Sequence, residues 1–343
     1  MRKRIGAGLA MVAAGLVVLA SGVGPSAAQD KTKSKAKANA AAPKHLYGYN
    51  LRVRPGGEKD WPKARKIGVE VFQDETTQAT VVISEDGAVT VFPAAALGEK
   101  RDFEYRTGLD MLVRKAGEAE FTQNTQRFGV ELFRDLRSNR LLYACQTGSI
   151  ATAPVPGNLV EDKGPKWHHG LTLKVREPEQ DKFDTAKAFG VEVYKDENTG
   201  GLVYVTETGA IAAGLPAPAA QPEKNKVARP KPAYGLILRV RKSDESDFTD
   251  KTRRVGVEVF EDPNANALVY LSETGSVAVV ANPGKLQDGG PPTWKTAMAL
   301  GARKAGDENF AKARKYGIEA FQDNRTGNLV FISETGSIAV LPK

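Results

Sequence analysis

GVEVFED, residues Gly256 to Asp262, followed by LVYLSETGSVAVV, residues Leu268 to Val280, is the stretch on which the architecture turns. The chain writes it five times: GVEVFQD starts at Gly68, GVELFRD at Gly129, GVEVYKD at Gly190 and GIEAFQD at Gly317. Aligned on an arginine upstream, the copies place Arg54, Arg114, Arg176, Arg241 and Arg303 at intervals of 60, 62, 65 and 62 residues. Aligned on the glutamate inside the phrase they give Glu70, Glu131, Glu192, Glu258 and Glu319. The two registers agree to within a few residues, which is the signature of a repeat architecture.

Outward from the phrase, each copy opens with alternation, as in Leu236-Ile237-Leu238-Arg239-Val240-Arg241, and this reads as a first strand. An aromatic then precedes a second apolar residue by six or seven places: Trp61 with Ile67, Phe121 with Phe128, Phe183 with Phe189, Phe248 with Val255, Phe310 with Tyr316. That spacing predicts two turns of amphipathic helix, closed by a glycine such as Gly256 in the left-handed conformation. The phrase itself is a second strand; a turn such as Asn198-Thr199-Gly200 leads to a third, and Thr208-Gly209 to a fourth. The unit is therefore β-α-β-β-β, in a chain that is mainly β with short helices.

In the fourth copy Val257, Val259, Val269, Leu271, Val277 and Val279 are grouped on one face, and Phe260, Leu268, Tyr270, Ala278 and Val280 on the other. Both faces are apolar, and so short a unit is near the lower limit of what folds alone. Neighbouring copies are the natural cover. Five four-stranded units stacked face to face and closed on themselves make a five-bladed β-propeller, which is the expected fold. Tandem α+β modules are the alternative, favoured by the Pro-rich connections FPAAALGEK, APVPGNL, GLPAPAAQPEKNKVARPKPA and NPGKLQDGGPP.

The expected organisation is a signal peptide over 1–28, a Lys/Ala-rich disordered tail over 29–45, and repeats at 46–93, 105–154, 167–215, 233–281 and 294–343, with a Pro-rich linker at 216–232. Basic Arg2, Lys3 and Arg4, an apolar run and a small-residue end at Ser26-Ala27-Ala28 give the leader its reading, and with it export, to the periplasm or beyond. The apolar run is too short to span a membrane comfortably. The single cysteine, Cys145, excludes a disulfide framework. The net charge of +8 comes mostly from the leader and from Lys31, Lys33, Lys35, Lys37 and Lys44 of the tail. The body is nearly neutral, so no specific nucleic-acid partner is expected, although the tail could touch anionic surface polymer.

For chemistry, Arg54, Arg114, Arg176, Arg241 and Arg303 with Glu70, Glu131, Glu192, Glu258 and Glu319 are read as structural ion pairs, within units or between them, with each guanidinium able to lie on a ring. A ring residue recurs ahead of the first strand, as His45, Tyr105, Trp167, Pro232 and Trp294, either plugging seams or stacking on a ligand. Trp167, His168, His169, Trp294 and Tyr105 are the candidate ligand-binding residues. The adjacent histidines are expected to point to opposite faces of a strand, which disfavours shared metal binding. Asp196 and Glu207, Asp262 and Glu273, Asp323 and Glu334, and Asp74 and Glu85 have the spacing of a calcium loop's first and twelfth positions. No second helix follows them, however, and the hairpin separates the two acids. No nucleophile, base and orienter recur together, so no catalytic residue, metal or cofactor is expected. The resulting reading is an exported, non-enzymatic, multivalent binding or scaffolding module for surface carbohydrate or another exported protein. The alternatives are a polysaccharide hydrolase working through carboxylates and a purely structural envelope protein.

Overall fold

Each copy of the repeat folds into four antiparallel strands hydrogen-bonded in chain order, and the five sheets form the blades of a β-propeller. The computed structural model describes residues 42–94, 96–99, 102–160, 163–218 and 227–343. Blade 1 contains β1 (Lys44–Val53), β2 (Arg65–Asp74), β3 (Ala79–Ser84) and β4 (Val89–Pro93). Blade 2 contains β5 (Phe103–Val113), β6 (Gln126–Asp135), β7 (Arg140–Cys145) and β8 (Ile150–Pro154). Blade 3 contains β9 (Pro165–Val175), β10 (Lys187–Asp196), β11 (Gly201–Thr206) and β12 (Ile211–Pro216). Blade 4 contains β13 (Lys231–Val240), β14 (Arg253–Asp262), β15 (Ala267–Ser272) and β16 (Val277–Ala281), and blade 5 β17 (Thr293–Ala302), β18 (Arg314–Gln322), β19 (Leu329–Ser333) and β20 (Ile338–Leu341).

The first strands begin a residue or more before the anticipated repeat boundaries. Lys44 and His45 at the end of the anticipated tail, and Lys231 and Pro232 at the end of the anticipated linker, are thus parts of strands. The anticipated leader, and the tail up to residue 41, lie outside the described residues, as do 219–226 of the linker. Among the described residues no helix is long and apolar enough to cross a membrane.

The apolar side chains form five cores, and every core is shared by two blades. Tyr234, Leu238, Val257, Val259 and Tyr270 of blade 4 pack with Phe321, Val330 and Ile332 of blade 5. On the other face of blade 4, Phe260, Val269 and Leu271 pack with Leu173, Val191 and Val193 of blade 3. The same holds between blades 5 and 1, 2 and 3, and 1 and 2. Two apolar faces on each thin sheet are thus satisfied by two neighbours, the hydrophobic term favouring stacking over isolated blades. The sequence-based grouping of faces needs one correction: Val259 pairs with Tyr270 across the ladder, so the valines of β14 share a face with Leu268 and Tyr270 rather than with Val269 and Leu271.

The fourth strands β4, β8, β12, β16 and β20 surround the central axis. They line a cavity of about 60 Å³ with Val, Ile, Ala and Thr, and in its wall the Thr90 and Thr152 hydroxyls of neighbouring blades meet at 3.1 Å. Among the described residues no strand is exchanged between blade 5 and blade 1, and the two blades meet through side-chain contacts.

The anticipated helix is absent. Between first and second strands the described residues form turns, with single 3-10 turns at Trp61–Lys63 and Phe310–Lys312. The apolar partners proposed for that helix, Ile67, Phe128, Phe189, Val255 and Tyr316, belong instead to the second strands and fill the inter-blade cores.

Candidate functional site

On the face that carries the turn after each first strand, every seam holds the same charged cluster. Arg54 of blade 1 donates from Nε to Glu131 Oε1 of blade 2 at 2.6 Å. Arg114 reaches Glu192, Arg176 reaches Glu258, and Arg241 reaches Glu319 at 2.6–2.7 Å. Arg303 of blade 5 reaches Glu70 of blade 1 at 2.6 Å and closes the circle. Of the two arrangements left open by the sequence, the pairs run between blades. The glutamates are almost wholly buried, and the arginines keep 12–25% of their side-chain surface exposed. Charge-assisted bonding to Glu131 and Glu70 raises Arg54 and Arg303 above the ordinary guanidinium range.

The aromatic of the supposed helix lies on its own blade's arginine. Guanidinium-to-ring distances are 4.6 Å for Arg54 over Trp61 and Arg114 over Phe121, and 4.4 Å for Arg176 over Phe183, Arg241 over Phe248 and Arg303 over Phe310. The ring residue of the next blade's first strand completes four clusters. Trp167 Nε1 donates to Glu192 and Trp294 Nε1 to Glu319, each at 2.7 Å. His45 Nε2 meets Glu70 at 2.8 Å, and the Tyr105 hydroxyl accepts from Arg54 at 2.8 Å. Burial pushes the Tyr105 phenol up to about 12. Trp167 and Trp294 are half-buried, whereas Tyr105, Phe121 and Phe310 keep about two-fifths of their surface exposed (41%, 39% and 39%).

The glycine that opens the repeated phrase serves this seam rather than a helix end. A Cβ on Gly68, Gly129, Gly190, Gly256 or Gly317 would stand 2.0–2.2 Å from the carbonyl oxygen of the neighbouring blade's cluster arginine. Nothing larger than hydrogen fits. The glutamate of the supposed calcium loop is held here too: Glu207 accepts the amides of Gly190 in its own blade and Ala116 of the preceding one, at 3.1 and 2.7 Å. Glu85, Gln146 and Glu334 do the same.

The aspartates that end the second strands sit on the opposite face, buried and capping their own turns. Asp196, for example, accepts from the amide of Asn198 at 2.9 Å. Four of them also accept from the neighbouring blade: Asp135 from Tyr47 and Tyr49, Asp196 from Tyr143, Asp262 from Tyr204, Asp323 from Tyr234 and Tyr270. Of these tyrosines only Tyr270 enters the sequence reading, as part of an apolar face. Among the described residues no three metal-ligating side chains come together.

Asp262 has a further partner in His169, whose Nε2 lies 2.8 Å away. Every first strand carries an irregularity at this place, and in β9 it falls between Trp167 and His169. The extra residue, His168, defeats the alternation on which opposed histidines were expected. Their Nδ1 atoms meet at 2.6 Å, with both residues buried. Burial, then the neighbouring His169, holds His168 down at about 4. Neither imidazole is presented to a ligand from solution. Cys145 is likewise enclosed in the core of blades 2 and 3, and burial raises its thiol.

No family model matches the chain, and no curated protein matches it. Similar solved structures include two of virginiamycin B lyase from Staphylococcus aureus, one selenomethionine-substituted and one of a catalytically inactive variant with quinupristin. Each is 12% identical, with 87% and 86% of this chain and 88% of that chain covered, at a TM-score of 0.13. A likeness at that level says nothing about this chain's chemistry.

Proposed function

We propose that the protein is an exported, non-enzymatic binding or scaffolding module that engages carbohydrate or another exported protein through several like surfaces at once. The observation that supports this is the fivefold cluster: each seam brings an arginine and at least one aromatic ring to the same face, with Tyr105, Phe121 and Phe310 still offering open ring surface. Weak contacts at several such places on one partner act together through effective concentration. The recurring carboxylates, the groups a hydrolase would use, are spent on neighbouring backbone amides and arginines. Attraction of the basic tail to anionic polymer would add to retention at a surface.

A glycan array and a panel of surface polymers, probed with the full chain and with Tyr105→Ala and Phe121→Ala, test the reading. Saturable binding that weakens several-fold in the variants is expected. Absence of binding by the unaltered protein removes the carbohydrate branch, and steady turnover of any polysaccharide overturns the non-enzymatic assignment.

A further inference from the structure

The seam between blades 3 and 4 departs from the others in two respects with chemical consequences. Where two seams have Trp167 and Trp294, and the remaining two His45 and Tyr105, this seam has Pro232. Glu258 therefore receives no ring N–H, and its Oε1 is bonded to Arg176 Nε at 2.7 Å. Phe183 covers one face of the Arg176 guanidinium at 4.4 Å, and among the described residues no second ring meets it. Arg176 is 25% exposed, against 15% for Arg114 and 12% for Arg241 under their tryptophans. Gly235, on the strand beside the cluster, is exposed, whereas Gly170 and Ala297 at the same place are half-buried.

A second proline acts in the same direction. Pro178 stands where Ala116 and Ser243 donate amides to Glu207 and Glu334, and it has no N–H to give. Glu273 is left with the amide of Gly256 at 2.9 Å and a distant Arg253 at 3.9 Å. Burial holds both Glu258 and Glu273 above the usual carboxylate range. Relative to its siblings the seam thus lacks one ring N–H at Glu258 and one amide at Glu273.

We propose that this seam, taken as one of the binding surfaces of the module described above, accepts a tryptophan side chain presented by a partner protein. Sibling seams show what fits. An indole there donates Nε1–H to the glutamate at 2.7 Å, lies 5.8 Å from the guanidinium, and meets the phenylalanine edge-on at 6.1–6.3 Å. A sugar would lack the flat apolar ring that the sibling seams set beside the stacked guanidinium and phenylalanine. The chain's own three tryptophans, Trp61, Trp167 and Trp294, are built into other seams, so the ring must come from another protein.

N-acetyl-tryptophanamide titrated into the full chain, followed by amide shifts in two-dimensional NMR, tests this. Expected are saturable shifts centred on Phe183, Gly235 and Glu258, with a Kd of roughly 0.1–1 mM for so small a ligand. The 1-methyl analogue, which cannot donate, should bind at least about tenfold more weakly, the order of loss when a buried acceptor goes unpaired. Pro232→Trp, which supplies the ring internally, should abolish the shifts, and Phe183→Leu, which keeps bulk without the aromatic edge, should weaken them. Absence of saturable shifts in the unaltered chain, equal binding by the methylated analogue, or binding that survives in both variants overturns the proposal. Stronger shifts of the same residues by a methyl glycoside would overturn it in favour of a sugar. Should polymer binding persist while tryptophanamide fails, only this assignment falls and the wider reading stands.

Discussion

The two ends of each seam solve the same problem differently. On the face of the charged clusters, donor and acceptor are both fixed: five arginines meet five glutamates, with a glycine beneath to let the backbones approach. On the opposite face only the acceptor is fixed. An aspartate ends or directly follows the second strand in every blade, while the donor from the neighbour is Tyr47 with Tyr49, Tyr143, His169 with Tyr204, or Tyr234 with Tyr270. At the closing seam the equivalent residues are Thr296 and Phe331, and Asp74 keeps the donors of its own turn, Thr76 and Thr77. A bidentate, desolvated pair tolerates no change on either side, whereas a carboxylate accepts any hydroxyl or ring N–H that reaches it.

Breaking the fixed end should cost most. Glu192→Ala strands Arg114 and the Trp167 N–H in a largely dry seam, and a loss of about 3–4 kcal/mol is expected in chemical unfolding. Gly129→Ala forces a methyl against the Arg54 carbonyl, and about 2–3 kcal/mol should be lost as the backbones part. At the variable end effects should be smaller. Tyr143→Phe removes one donor from Asp196, which retains those of its own turn, and about 1–1.5 kcal/mol is expected. Phe331→Tyr should act in the opposite sense, giving Asp74 the hydroxyl that Tyr270 gives Asp323 and raising stability by about 0.5–1 kcal/mol. A melting comparison in which Tyr143→Phe costs as much as Glu192→Ala would erase the distinction between the ends.

The smallest effect expected is one of pH. His168 is held down from an ordinary 6.5 to about 4 in the folded protein. Between those values the unfolded chain binds the proton and the folded chain does not, so stability falls as pH is lowered through that window. His168→Leu should flatten that part of the curve. An unchanged slope would mean that another group carries it.

What could be read from the sequence follows the same division. Elements repeated on both sides of a contact, such as Arg114 with Glu192, were visible because each recurs at a fixed place. The donors to the aspartates were not, because Tyr143, His169 and Tyr234 occupy different strands or share no chemistry beyond a polar hydrogen. The helix was misread because Phe121 and Phe128 have helical spacing; the guanidinium of Arg114 takes the first ring and the core of blades 2 and 3 takes the second. The histidine pair was misread because alternation along a strand cannot show a register shift, and β9 has one at that point. Closure, by contrast, was implicit in two apolar faces on so thin a unit, which require a neighbour on each side.

That closure rests on a seam with no exchanged strand, and a double-mutant cycle tests it directly. Coupling between Arg303 and Glu70, at opposite ends of the chain, should match that between Arg114 and Glu192 to within about 1 kcal/mol, both being contacting charged pairs of the same geometry. A coupling near zero for Arg303 and Glu70 alone would mean that the ring is open.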